Sequence, residues 1–261
     1  MIVAALFVTQ WRTLLNVVAI PSTVLLTAVV LKVPESPRWL LLQRGRAAAK
    51  TALERMANEN SRQFTSNLAP VNTPTTAPVR VRAFLKGDLW VHTPALTCVC
   101  FIAAMLYFGL SLGVPELVGN LHLNSALCFG AEIPALLLSG LMLDSRLGRR
   151  YTILLGLAMT ALLSLLNALI PAFGGLGSSI AKLFISIVYG GTFTLAAEMY
   201  STRMRGVGLS TLRFVEGLGC TLAGSLPLLP KPYLAMAVFG TIAALAALLL
   251  PETRGQQLAE A

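Results

Sequence analysis

The sequence predicts an all-α membrane protein of about seven transmembrane helices, one helix followed by a six-helix bundle. Three observations lead there. Apolar residues fill 56% of 261 positions while charged residues fill only 12%; the apolar residues gather in runs of bilayer-spanning length; and the basic residues gather in alternate gaps between those runs. A water-soluble domain carries roughly a quarter charged residues, so half that share leaves much of the surface to face lipid. The net charge of +9 does not point to nucleic acid, because Lys and Arg avoid amphipathic or aromatic-interleaved stretches. They sit where a membrane protein keeps its cytoplasmic loops.

A span needs roughly 20 mostly apolar residues. Seven stretches qualify: about 13–33, 91–113, 123–143, 151–171, 176–199, 207–229 and 233–250. Helix is the expected form of each, because backbone N–H and C=O groups find no water in hydrocarbon. Pro21 and Pro134 fall inside spans and predict kinks. Residues 1–10 read as the stub of an earlier span, and no basic leader with a small-residue cleavage site precedes them. Cys98, Cys100, Cys128 and Cys220 lie inside apolar runs without metal-ligand spacing, and read as small buried hydrophobes.

Orientation follows from the loops. Segment 34–90 holds nine Lys/Arg, and loops 144–150 and 200–206 and the tail bring the total to fifteen, against only Arg12 and Lys231 in the alternate loops. That bias predicts an outside N-terminus and a cytoplasmic C-terminus. Segment 34–90 is also unusual in itself. A basic, alanine-rich stretch (Arg44 to Asn60) predicts a short surface helix, and the Ser-, Thr-, Asn- and Pro-rich stretch 61–78 predicts a flexible linker. The expected division is therefore 1–33, a loop over 34–90, a compact bundle over 91–250 and a tail over 251–261.

Charged clusters mark the predicted cytoplasmic ends of the spans. They are Glu35 with Arg38, Asp144 with Arg146, Arg149 and Arg150, Glu198 with Arg205, and Glu252 with Arg254. Each sets acid beside base at one membrane level. One exposed pair is worth only about 0–1 kcal/mol, so several suit a reversible latch better than a permanent clamp. Anchoring of helix ends by the positive-inside rule explains the arginines equally well.

In this order and spacing the four clusters resemble the major facilitator superfamily, in its sugar-porter and organic-ion branches. Further stretches are similar to the organic cation/organic anion transporters: Trp11-Arg12-Thr13-Leu14, Tyr107-Phe108-Gly109-Leu110-Ser111-Leu112, Gly119-Asn120-Leu121, Glu132-Ile133-Pro134-Ala135 and Lys182-Leu183-Phe184. The resemblance covers about residues 11–258. It implies the sixth span, the central loop and spans seven to twelve of a two-half carrier, so that an N-terminal half, or a full-length relative, would be the partner. It also implies transport of an organic cation, a carnitine-like solute or another small solute by alternating access, in the plasma membrane. The sequence offers no nucleophile–base set, metal cluster or phosphate loop, so no enzymatic reaction, cofactor or metal is expected. A non-transporting fragment and a seven-span receptor are the other readings; the long basic segment after the first span disfavours the receptor. Two positions depart from the family pattern: Ser145 is inserted in the usual D-R-x-G-R-R run, and Tyr200-Ser201-Thr202 replaces aromatic-Pro-Thr.

Charge at membrane depth is costly, roughly 2.5–3.5 kcal/mol for Arg, Lys or Asp at a helix centre, so each such group is a candidate site. Glu132 falls ten residues into its span, beside Pro134, and reads either as a substrate or proton contact or as a packing residue. Arg213 and Glu216 are three apart and share a helix face, as a self-neutralising pair or as cavity-lining charges. Lys182 lies nearer the outer end, where it could snorkel. Tyr107 offers a ring for cation–π contact or for packing. Gly190, Gly191, Gly217, Gly219 and Gly224 predict close helix approach.

Overall fold

The computed structural model describes residues 10–62, 87–117, 119–170 and 173–255. Among them the chain is helical, with no strand. It divides into two units, residues 1–78 and 79–261.

In the first unit α1 spans Trp11–Lys32, α2 Pro37–Gln43 and α3 Arg46–Glu59. Helix α1 runs through Pro21 without interruption, and none of its apolar core window is buried. The predicted surface helix is present, but as a pair. Pro37 opens α2 at a position that needs no N–H donor, and Gly45 at φ +84° turns the chain into α3. Leu40 and Ala49 are buried between the two, and the Arg44 guanidinium lies over the Trp39 ring. The linker expected over 61–78 lies outside the described residues from 63 onward, as does the stub expected over 1–10 up to residue 9.

The second unit holds α4 (Leu89–Leu112), α5 (Leu121–Gly130), α6 (Glu132–Asp144), α7 (Gly148–Leu169), α8 (Gly174–Met199), α9 (Thr202–Ala223) and α10 (Pro232–Ala247). Helix α4 is central, packed on α8, α9 and α10; α7 packs on α8 and α10, and α5 and α6 lie against α8. The core is correspondingly apolar, with Leu96, Leu106, Leu110, Ile153, Leu157, Ile185 and Leu195 among its buried side chains. Small residues set the spacing. A Cβ on Gly219 of α9 would collide with the Phe101 carbonyl oxygen of α4, and one on Gly156 of α7 would stand 2.5 Å from Val188 of α8. Gly190 and Gly191 are less tightly faced, with nearest neighbours at 3.3 Å, and nothing on another helix crowds Gly217 or Gly224. Close approach is tightest at Gly219 and Gly156, with Gly240 of α10 against the Ala161 backbone of α7 as a third such contact, and nothing in the sequence around Gly156 signals its part.

Two spans differ from expectation. The run 123–143 is divided: α5 ends at Gly130 and α6 starts at Glu132. Pro134 is the cause, since it has no N–H for the Gly130 carbonyl and its ring crowds that turn. Helix α9 begins five residues before its apolar run and ends at Ala223, ahead of turns around Pro227 and Pro230. Among the described residues five helical stretches are long and apolar enough to cross a membrane: α1, α4, α5 with α6, α7 and α8. Helix α9 is long enough but carries Arg203, Arg205, Arg213 and Glu216, and α10 is apolar but only 16 residues long.

Candidate functional site

The five candidates at membrane depth form one connected chain of contacts across α4, α6, α8 and α9. It begins at Lys182, whose side chain is 0% exposed. An ammonium so buried needs every donor met. Its Nζ donates hydrogen bonds to the Tyr107 carbonyl oxygen at 3.0 Å and to Ser111 Oγ at 2.7 Å, and pairs with Glu132 Oε1 at 3.1 Å. The ammonium also sits 3.0 Å from the centre of the Tyr107 ring, a cation–π contact in a site shut off from water. Lys182 therefore does not snorkel; it turns inward because carboxylate, hydroxyl, carbonyl and ring are all within reach.

Glu132 accepts a second hydrogen bond from the Tyr107 hydroxyl at 2.7 Å. The helix break places its carboxylate in the first turn of α6, where the exposed backbone N–H groups favour negative charge. It remains 28% exposed, the accessible edge of the cluster. The Tyr107 ring stacks on Tyr189 at 5.0 Å between centroids, and Tyr189 meets Phe193 edge-on. From there the chain reaches α9: Tyr189 Oη lies 3.5 Å from Glu216 Oε2 and accepts from Arg213 Nη1 at 3.3 Å. Arg213 and Glu216 pair at 3.3 Å, with Arg213 59% exposed over the Phe193 ring and Glu216 5% exposed. One carboxylate oxygen of Glu216, Oε1, is buried without a hydrogen-bond partner.

Tyr189 and Phe193 join the site although no charge or motif marks them in the sequence, and Ser111 joins it from within the Tyr107–Leu112 motif. Their signal is periodicity. Lys182, Ser186, Tyr189 and Phe193 recur at helical spacing on one face of α8, and Ser111 lies one turn beyond Tyr107.

The second cluster joins the ends of α6, α7, α8 and the segment after α10. Arg149 donates from Nε and Nη2 to both oxygens of Glu198, at 3.1 and 3.0 Å, and from Nη1 to the Leu143 carbonyl at 2.8 Å. Asp144 Oδ1 lies 3.3 Å from the same guanidinium. The forked geometry makes this a strong pair, and the Thr253 hydroxyl donates to Glu198 as well. Glu252 plays a different part. Its carboxylate accepts the backbone N–H groups of Arg149 and Arg150, at 3.0 and 3.1 Å, and so caps α7 from a distant part of the chain. Gly148 makes room for it. Its φ of +75° favours glycine, and a Cβ there would collide with the Glu252 carboxylate. Burial raises the Glu252 pKa, but backbone N–H donation from Arg254, Arg149, Arg150 and Thr253 outweighs burial and holds the carboxyl below its ordinary value of 4.5.

The remaining members of the expected charge network lie apart from these pairs. Arg150 donates to the Leu248 carbonyl and Arg205 to the Tyr200 carbonyl. Arg146 and Arg254 are exposed, and neither forms an ion pair among the described residues. Glu35 is exposed in the first unit, and the Arg38 side chain lies outside the described ones. Ser145, the inserted residue, shapes the α6–α7 turn by donating to the Met142 carbonyl and accepting from Leu147 N–H. Ser201, in place of proline, precedes α9, and its carbonyl accepts from Met204 and Arg205.

Long apolar helices, buried charges paired within the bundle and a charge cluster at the helix ends define an integral, multi-pass membrane protein. The chain belongs to the sugar (and other) transporter family, whose profile matches residues 2–261. Among curated relatives it is 29% identical to Solute carrier family 22 member 15 of Xenopus tropicalis, over 97% of this chain and 51% of that protein. It is 30% identical to a Solute carrier family 22 member 15-like protein of Xenopus laevis, over 97% of this chain and 55% of that one. It is 28% identical to Organic cation/carnitine transporter 2 of Rattus norvegicus, over 97% and 48%. The chain spans about half the length of the curated relatives it matches.

Proposed function

We propose that the chain carries half of a secondary transporter for small organic ions, cationic or carnitine-like. The single observation behind this reading is the run of paired charges and stacked tyrosines from Lys182 to Arg213 inside the apolar bundle; carriers of this architecture bind solute between helices in the bilayer. The residues proposed to meet substrate are Tyr107, Glu132, Lys182, Arg213 and Glu216. The other wall of the cavity would come from an N-terminal six-helix half. The count of seven spans, the outside N-terminus, the cytoplasmic C-terminus and the plasma membrane belong to this proposal and rest on the alternation of basic loops.

In the same reading the Arg149–Glu198–Asp144 pairs, with Glu252 and Thr253, act as the cytoplasmic latch. The forked Arg149–Glu198 pair is the stronger of these contacts, the exposed Asp144 contact is modest, and their partial exposure to solvent suits repeated opening. Glu35, Arg38, Arg146, Arg150, Arg205 and Arg254 are proposed to engage on the other side of that cycle. Only a solute that binds the two states unequally can shift the balance between them.

The test is uptake into proteoliposomes carrying the chain, alone or with the N-terminal half of a relative, using labelled n-butylammonium, tetraethylammonium, carnitine and glucose. Saturable uptake of an organic ion, reduced in Glu132→Gln and Arg213→Ala, supports the proposal. Saturable uptake of glucose alone favours the second reading, a sugar carrier, which the family description motivates. No flux in either format sinks transport and leaves a non-transporting membrane partner.

A further inference from the structure

The groups around the Lys182 ammonium make a specific receptor for one kind of cation. Three oxygens converge on the nitrogen: a carbonyl, a hydroxyl and a carboxylate, each from a different residue position. The Ser111 hydroxyl donates its own proton to the Tyr107 carbonyl at 3.0 Å, which leaves its lone pairs to accept from the ammonium. The Tyr107 hydroxyl donates to Glu132, so that carboxylate oxygen is fixed in place before any cation arrives. The tyrosine ring closes one side, and Phe129 stands farther off at 5.9 Å. The acceptor count matches the three N–H donors of a primary ammonium. A quaternary ammonium has the charge for the ring and the carboxylate but no proton for the three oxygens.

We infer that Tyr107, Ser111 and Glu132 form a primary-ammonium binding site whose resident occupant is the chain's own Lys182. An external amine enters this site only by displacing that side chain. The inference deepens the proposed substrate face, on which it rests for its biological meaning. In it Lys182 meets the incoming amine as a tethered competitor for the same oxygens. With Lys182 in place the site is electrically balanced and closed. With Lys182 withdrawn, Glu132 and Tyr107 present an anionic, ring-walled pocket to the cavity.

Equilibrium binding tests this without requiring transport, so its failure is separable from failure of the uptake assay. The full chain in lipid nanodiscs is titrated calorimetrically with n-butylammonium and with tetramethylammonium. Lys182→Ala is expected to bind n-butylammonium about tenfold or more tighter than the wild-type chain does, and tighter than it binds tetramethylammonium; Glu132→Gln added to that variant should abolish the gain. Equal binding of the two probes, or no gain over wild type, overturns the inference.

Should Lys182→Ala fail to fold, the wild-type chain gives a second readout. It has five lysines, so 15N labelling of lysine side chains yields a simple spectrum in which Lys182→Arg identifies the buried Nζ signal. Displacement predicts that n-butylammonium shifts this signal toward the position of the exposed lysines, and that tetramethylammonium does so less. An unmoved Lys182 signal at saturating n-butylammonium overturns the inference.

Discussion

Charged residues inside apolar runs stand out in any sequence, and Glu132, Lys182, Arg213 and Glu216 are legible for that reason. Their partnerships are less so. Helix periodicity alone pairs Arg213 with Glu216, and the 3.3 Å contact agrees. Lys182 and Glu132 lie on separate helices, so no spacing rule can join them. Tyr189, which carries the contacts from one pair to the other, looks in sequence like an ordinary interior aromatic. Glu252 reads in sequence as one member of an acid–base cluster, and it acts instead on backbone donors of α7. Replacing it by glutamine removes the charge from that helix terminus and should lower stability by about 1 kcal/mol, measured as a fall in melting temperature. The pH dependence has a definite sign. Because the folded carboxyl titrates below 4.5, its stabilisation is complete above that value and is lost as pH falls through the folded pKa. Wild-type stability should therefore drop more steeply than that of Glu252→Gln below about pH 4.5; parallel acid-unfolding curves by circular dichroism would argue against the cap.

At the scale of elements, run lengths locate α1, α4, α7 and α8 to within a few residues, because bilayer-length apolar stretches have few alternatives to helix. Boundaries set by capping and charge are harder to read. Helix α9 starts among arginines, where hydropathy gives no signal, and α10 stops short of its apolar run. The break between α5 and α6 is legible as a kink at Pro134, but not as the device that puts Glu132 in a first turn. Pro134→Ala should allow the Gly130 carbonyl to find a helical donor, leaving the melting temperature unchanged or raised. The same variant should reduce solute uptake by shifting Glu132 away from Lys182. A variant that keeps full uptake would show that the break is incidental. Close packing gives a complementary expectation. Gly156→Leu drives a side chain into Val188 and should cost about 1–3 kcal/mol, read as a lower melting temperature with helix content preserved.

For the whole molecule, the alternating charge of the loops makes a statement that labelling can check. In sealed vesicles, cysteines at Arg146 and at Lys231, introduced after the native cysteines are replaced, should react with an impermeant maleimide from opposite faces. Reaction of both from one face would break the seven-span scheme. The charged clusters that carry the family resemblance in sequence lie within the family match over residues 2–261, so the family is legible from short motifs. What such motifs do not reach is the other half of those relatives' length, since the chain spans about half of it.

The cap on α7 also bears on how the chain is made. Glu252 and Arg149 are 103 positions apart, so α7 leaves the ribosome before the carboxylate that finishes it is made. Until then the first turn of α7 holds its N–H groups without that acceptor, and Glu198 lacks the Thr253 hydroxyl. Insertion of the helices and locking of their ends are thus separate events in biosynthesis. A chain stopped just before Glu252 would place its helices in the bilayer yet leave the ends of α7 and α8 unfastened, a form open to proteolytic surveillance.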